Sequence, residues 1–183
     1  MALQLRDKHL DDAAFTAITR ELIPHARAAR VPLLVNERLA IGLQEGAQGV
    51  HLPERAHSVA KHRAQAPAGF LVAASVHDEA GVARRYDADV LMLGPLGAVA
   101  GKGAPMGEAQ FTRCIAKAQQ PVLALGGIRT SQDVLQALRW GAFGIAVQQT
   151  ISHAPQGGAA LRGWLDTLNE ARAQRGLSTK LRT

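Results

Sequence analysis

Short aliphatic runs alternate along this chain with longer stretches whose apolar residues recur at helical spacing. The runs are Leu3–Leu5, Val31–Val35, Gly49–Leu52, Phe70–Val76, Asp89–Leu93, Pro121–Leu125 and Gly144–Val147. Each is brief and continuously apolar, which predicts strands buried on both faces. Between them, Ala14, Ile18, Leu22 and Ile23 share one helical face before Pro24, and Leu39, Leu43 and Ala47 share another. Val134, Leu135, Leu138 and Ala142 form a third face, capped by Thr130 or Ser131. Asp133 follows Thr130 at capping-box spacing.

One phrase recurs. Gly46-Ala47-Gln48-Gly49-Val50-His51-Leu52 resembles Gly141-Ala142-Phe143-Gly144-Ile145-Ala146-Val147, with a looser copy at Tyr86–Met92. Each reads as a helix that ends at Gly or a polar residue and turns at once into a buried strand. Strict alternation of strand and helix means parallel strands with right-handed crossovers, in an open doubly wound sheet or a barrel. The small-residue turns gather at one end and the polar, Gly-rich loops at the other. That arrangement predicts a TIM (β/α)8-type barrel, one domain over residues 1–183.

Composition narrows the function. The single cysteine, Cys114, excludes an internal disulfide and a Cys-based zinc cluster. No run is long enough for a membrane span, and the N-terminus turns charged within a few residues, so a cytoplasmic protein is expected. The net charge of +6 and pI of about 10.2 suit polyanions. Basic residues are dispersed and lack an aromatic stacking series, which points to small phosphorylated substrates rather than nucleic acid. The basic stretch 171–183 is expected to be a frayed tail.

In such barrels the chemistry collects at the C-terminal ends of the strands. Gln4, Arg6 and Lys8 alternate along the first strand and share a face, a set suited to pyrophosphate, with Arg forking onto two oxygens. Asn36-Glu37-Arg38 follows the second strand. Glu37 is a hard-cation ligand or a partner for Arg38. His51 and Glu54 follow the third strand, Ser75 and His77 the fourth; His51 is read as a hydrogen-bonded pocket wall rather than a metal ligand. Loop 94–107 carries a single charge, Lys102, and departs from the Walker pattern at Leu96 and Gly103. A flap delivering one lysine to a phosphate fits it better. Leu125-Gly126-Gly127-Ile128, before a capped helix, is a phosphate-cradle candidate. Cys114 reads as inert packing.

Taken in order, Gln4-Leu5-Arg6-Asp7-Lys8, Leu34-Val35-Asn36-Glu37-Arg38, Gly49-Val50-His51-Leu52, Ala74-Ser75-Val76-His77, Leu93-Gly94-Pro95 with Lys102, and Ala124-Leu125-Gly126-Gly127-Ile128 resemble the thiamine-phosphate synthase superfamily, which includes thiazole tautomerases. The resemblance is especially close to the synthase-like domain fused to Nudix hydrolases. It implies an enzyme of thiamine biosynthesis that joins hydroxymethylpyrimidine diphosphate to thiazole phosphate and releases pyrophosphate. It would place Gln4, Arg6, Lys8 and Asn36 on the pyrimidine diphosphate, and Lys102 and Ser75 on the leaving group. Gly126, Gly127, Gly144 and Val147 would hold the thiazole phosphate, and Glu37 would ligate Mg2+. The alternatives are a tautomerase-like isomerase with His77 as base, and a non-catalytic phosphate-ligand-binding module of a larger protein. Three departures stand out. Glu37 replaces an aspartate, Ala56 stands where the second magnesium aspartate is expected, and the family's first β/α unit is missing. A barrel one unit short leaves sheet edges to cover, which predicts a homo-oligomer or a longer chain.

Overall fold

The expected alternation is realised in a computed structural model that describes residues 1–56, 58–148 and 157–174. Among them the elements run β1 (Leu3–Leu5), α1 (Asp12–Ala28), β2 (Leu33–Asn36), α2 (Leu39–Glu45), β3 (Gly49–Leu52), α3 (Val59–Arg63), β4 (Leu71–Val76), α4 (Glu79–Arg84), β5 (Val90–Leu93), α5 (Glu108–Lys117), β6 (Val122–Leu125), α6 (Ser131–Arg139), β7 (Gly144–Ala146) and α7 (Gly157–Gln174). This is the (β/α) order of a TIM-type chain, with seven strands described where a complete barrel has eight. Two compact units are distinguished, residues 1–75 with 87–90, and residues 76–86 with 91–183.

In the first unit β1, β2, β3 and β4 pair in sequence, all parallel. The core is Phe15, Leu33, Val35, Val50, Leu52, Val59 and Val72, all fully buried. β2 and β3 are buried along their whole length, as continuous apolar runs predict. β1 is not: Leu3 is 43% exposed, and among the described residues β1 pairs with β2 alone. β1 also stops at Leu5, and Asp7 accepts the His9 N–H in a turn, so the alternation expected to carry Lys8 along a strand ends before it. α1 runs on through Pro24, where the sequence suggested an end. Ile23 and Ala26 are buried on either side of that proline, and their packing outweighs the one backbone hydrogen bond it removes. Gly46 takes φ 81° at the end of α2, the left-handed cap that lets the chain turn straight into β3.

In the second unit β5, β6 and β7 pair in parallel sequence. Thr130 and Asp133 form the expected capping box at the start of α6. Gly141, with φ 96°, repeats the left-handed turn before β7. Phe111 of α5 and Trp140 pack with ring centroids 5.7 Å apart. Cys114, also on α5, is fully buried, and burial pushes its thiol up. α7 extends to Gln174, so residues 171–174 are not frayed. Arg172 lies 4.4 Å over the Phe143 ring and donates to the Phe143 carbonyl. Residues 175–183 lie outside the described residues. No described helix is long and apolar enough to cross a membrane.

Candidate active site

Four adjacent strands of the first unit each deliver one polar side chain to a single row. Gln4 lies on β1, Asn36 ends β2, His51 is on β3, and Ser75 is near the end of β4. Parallel register sets Asn36 beside His51. Asn36, His51 and Ser75 are buried, so each must find partners within the row. Gln4 Nε2 lies 3.3 Å from Asn36 Oδ1 and 2.8 Å from His51 Nδ1. His51 Nε2 lies 2.9 Å from Ser75 Oγ, and Asn36 Nδ2 donates to Glu37 Oε2 at 3.0 Å.

These contacts have one consistent direction. The Glu37 carboxylate only accepts, so it fixes the Asn36 amide with Oδ1 toward Gln4. Both hydrogens of the Gln4 amide are then spent on Asn36 Oδ1 and His51 Nδ1. A lone pair at Nδ1 places the imidazole proton on Nε2, which donates to Ser75 Oγ. The Ser75 hydroxyl is left to donate outward. Burial, with a smaller contribution from the Arg6 charge, lowers the His51 pKa to about 4, so the ring is neutral. His51 is thus a member of the row. A histidine inside an apolar run signalled it, yet the sequence offered it only as a pocket wall.

Glu37 sits at φ 63°, a left-handed conformation that is uncommon for a residue with a side chain. Its N–H donates to the His51 carbonyl at 3.0 Å. Its other carboxylate oxygen accepts from Arg55 Nη2 at 2.8 Å, the residue before Ala56 in the turn after β3. The alternative pairing with Arg38 does not form. Arg38 turns to Asp12, at 3.0 Å, and stacks 4.3 Å over Phe15. For magnesium the fit is poor. Both Glu37 oxygens already accept from nitrogen donors, Ala56 offers no ligand, and among the described residues no three His, Cys, Asp or Glu side chains come together.

The second unit holds the remaining candidates. His77 is half-buried with Nδ1 on the Gly94 carbonyl; a carbonyl only accepts, so the proton is on Nδ1. Lys102 is exposed at the tip of loop 94–107, which is anchored at its base by buried Leu96 and Met106 and by the Met106 N–H to the Pro95 carbonyl, 2.8 Å. Gly126 and Gly127 have φ of 89° and 73°. The space beside Gly127 is filled by the Gly97 backbone, whose carbon would lie 2.3 Å from an added Cβ. The chain itself therefore requires this glycine, before any phosphate is considered. Gly127→Val is expected to cost at least about 3 kcal/mol through overpacking and a strained φ, read as a lower Tm. A Tm equal to that of the wild type would show that the two loops part freely. Gly144 opens β7 opposite Leu123, with Arg172 near it, while Val147 follows the other end of β7. The structure separates these two, and only Val147 accompanies the Gly126 end of β6.

The model of the thiamine monophosphate synthase family matches residues 1–151. Thiamine-phosphate synthase of Roseiflexus castenholzii is 35% identical, over 90% of this chain and 74% of that protein. The enzyme of the same name from Methanospirillum hungatei is 34% identical, over 91% and 82%. Among solved structures, thiamine phosphate pyrophosphorylase from Pyrococcus furiosus superposes with a TM-score of 0.83 at 23% identity, over 92% of this chain and 83% of that one. The 3-hexulose-6-phosphate synthase of Salmonella typhimurium shares the fold more distantly, with a TM-score of 0.63.

Proposed function

The chain belongs to the thiamine monophosphate synthase family and acts in thiamine biosynthesis as a thiamine-phosphate synthase-like transferase, and we propose that the polar row of its first unit is where the pyrimidine diphosphate is held. The reaction joins hydroxymethylpyrimidine diphosphate to thiazole phosphate. The methylene C–O bond breaks with its electron pair leaving on pyrophosphate, and the thiazole nitrogen supplies the pair for the new C–N bond.

Each group has a part in that scheme. Gln4 and Asn36 orient the pyrimidine; with both Gln4 hydrogens engaged in the row, its Oε1 is the acceptor it presents. Arg6 and Lys8, just past the end of β1, supply positive charge for the diphosphate. Ser75, its acceptor side filled by His51, donates its hydroxyl to an oxygen of the leaving pyrophosphate, where negative charge grows in the transition state. Lys102, on the second unit, supplies a cation for phosphate oxygens. Backbone N–H groups at Gly126, Gly127 and Val147 hold the thiazole phosphate.

The observation that carries the reading is the directed row ending on the Ser75 hydroxyl. Incubating the protein with both substrates and following product by chromatography tests it: thiamine phosphate and pyrophosphate are expected in equal amounts. Folded protein that yields neither would overturn it. Among the described residues β1 pairs on one side only and Leu3 is exposed, so a second copy of the chain is expected to cover that edge. Solution scattering is expected to give a particle larger than the 19.4 kDa of one chain; a monomer would exclude the second copy.

A further inference from the structure

We propose that Arg55, rather than a divalent cation, supplies the charge that holds the substrate diphosphate beside Asn36, exchanging Glu37 for phosphate oxygens as the substrate arrives. The inference rests on the synthase reading given above and deepens it.

Three observations carry it. First, each oxygen of the Glu37 carboxylate already accepts from a nitrogen donor, Arg55 Nη2 at 2.8 Å and Asn36 Nδ2 at 3.0 Å. A magnesium ion on a remaining lone pair would lie close to the Arg55 guanidinium, which neutralises the carboxylate and repels a second cation. Second, the neighbouring position that could complete a metal site is Ala56, in a turn closed by its N–H to the Pro53 carbonyl at 3.0 Å. The turn that could have offered a carboxylate offers a guanidinium one residue earlier. Third, Arg55 is accessible, its side chain 67% exposed against 33% for Glu37. An ion pair that open contributes little to stability, so releasing it costs little. A diphosphate presents more charge and a geometry that a guanidinium matches with two parallel hydrogen bonds. Glu37 in this scheme is a parking partner: its left-handed turn holds the carboxylate at the row, and the carboxylate keeps Arg55 beside Asn36 until the diphosphate arrives.

The test uses the whole chain and two readouts. Calorimetry with inorganic pyrophosphate in the presence of EDTA is expected to show binding by the wild type. Arg55→Ala should weaken it at least about tenfold, Arg55→Lys should retain part of it, and neither should change the Tm. Thiamine phosphate formation is expected to proceed in EDTA within about threefold of its rate in magnesium, a difference under 1 kcal/mol. Arg55→Ala, Ala56→Asp is expected to bind pyrophosphate only when magnesium is present. If wild-type turnover collapses in EDTA and returns with magnesium, the proposal fails while the synthase reading stands. If pyrophosphate binds equally well to Arg55→Ala in EDTA, the proposal fails whatever the turnover. If neither condition gives thiamine phosphate, the synthase reading fails, and the calorimetry still decides whether Arg55 holds the anion.

Discussion

Lys102→Ala is expected to lower kcat for thiamine phosphate formation by about 10²–10³-fold, the range lost when a group that stabilises transition-state charge is removed. The Tm is expected to stay where it is in the wild type. Lys102 stands at the exposed tip of loop 94–107, held locally by its own N–H to the Val99 carbonyl at 3.1 Å. Side chains added at Gly101 or Gly103 would meet nothing within 4 Å, so the tip has no packing to lose. Stability in this loop comes from its base, where Leu96 and Met106 are buried. Removing the ammonium thus takes away charge and leaves the fold alone. The effect should fall on the step in which pyrophosphate departs, seen as slower pyrophosphate release in a single turnover. Lys102→Arg should recover part of the rate, since the charge returns in a different shape. A Lys102→Ala protein with wild-type kcat would remove the flap from the mechanism.

The order of elements was legible because it depends on local signals. The aliphatic runs, the Gly46 and Gly141 turns and the Thr130–Asp133 box are each written in a few neighbouring residues, and they stand in the structure within a residue or two of their expected places. Failures came where a distant contact decides. Pro24 lies within α1 because Ile23 and Ala26 bury themselves around it, which no local rule sees. Arg38 leaves its neighbour Glu37 for Phe15 and Asp12 on α1, and Arg55 takes its place from the turn after β3. The Gly126-Gly127 pair looks the same in sequence whether a phosphate or the Gly97 backbone needs the room; here the backbone already occupies it. Gln4, Asn36 and Ser75 were visible as polar residues at strand ends. Their joining through His51 was not, since it depends on parallel register between strands far apart in the chain.

His51→Gln is expected to keep most of the activity and to change how the protein responds to acid. Gln can accept from Gln4 through its carbonyl and donate to Ser75 through its amide, which preserves the direction of the row. It cannot titrate. In the wild type, the buried neutral ring has its pKa lowered to about 4 by burial and, to a smaller degree, by Arg6, while the unfolded chain takes up a proton near 6.5. Between those values the unfolded state binds the extra proton, so stability falls as the pH drops from about 6.5 to about 4, by about 3 kcal/mol in all, and His51 adds no further loss below that window. His51→Gln should abolish this part of the acid lability, seen as a flatter plot of Tm against pH. Protonation of the wild-type ring would also place a hydrogen on Nδ1 against the Gln4 amide and break the row, so kcat should fall toward pH 4 more steeply in the wild type than in the variant. His51→Phe, which leaves Gln4 and Ser75 without a partner, should lower kcat by about 10²-fold at pH 7. If His51→Phe retained wild-type kcat, the Ser75 hydroxyl would not need its direction set, and the row would be structural alone.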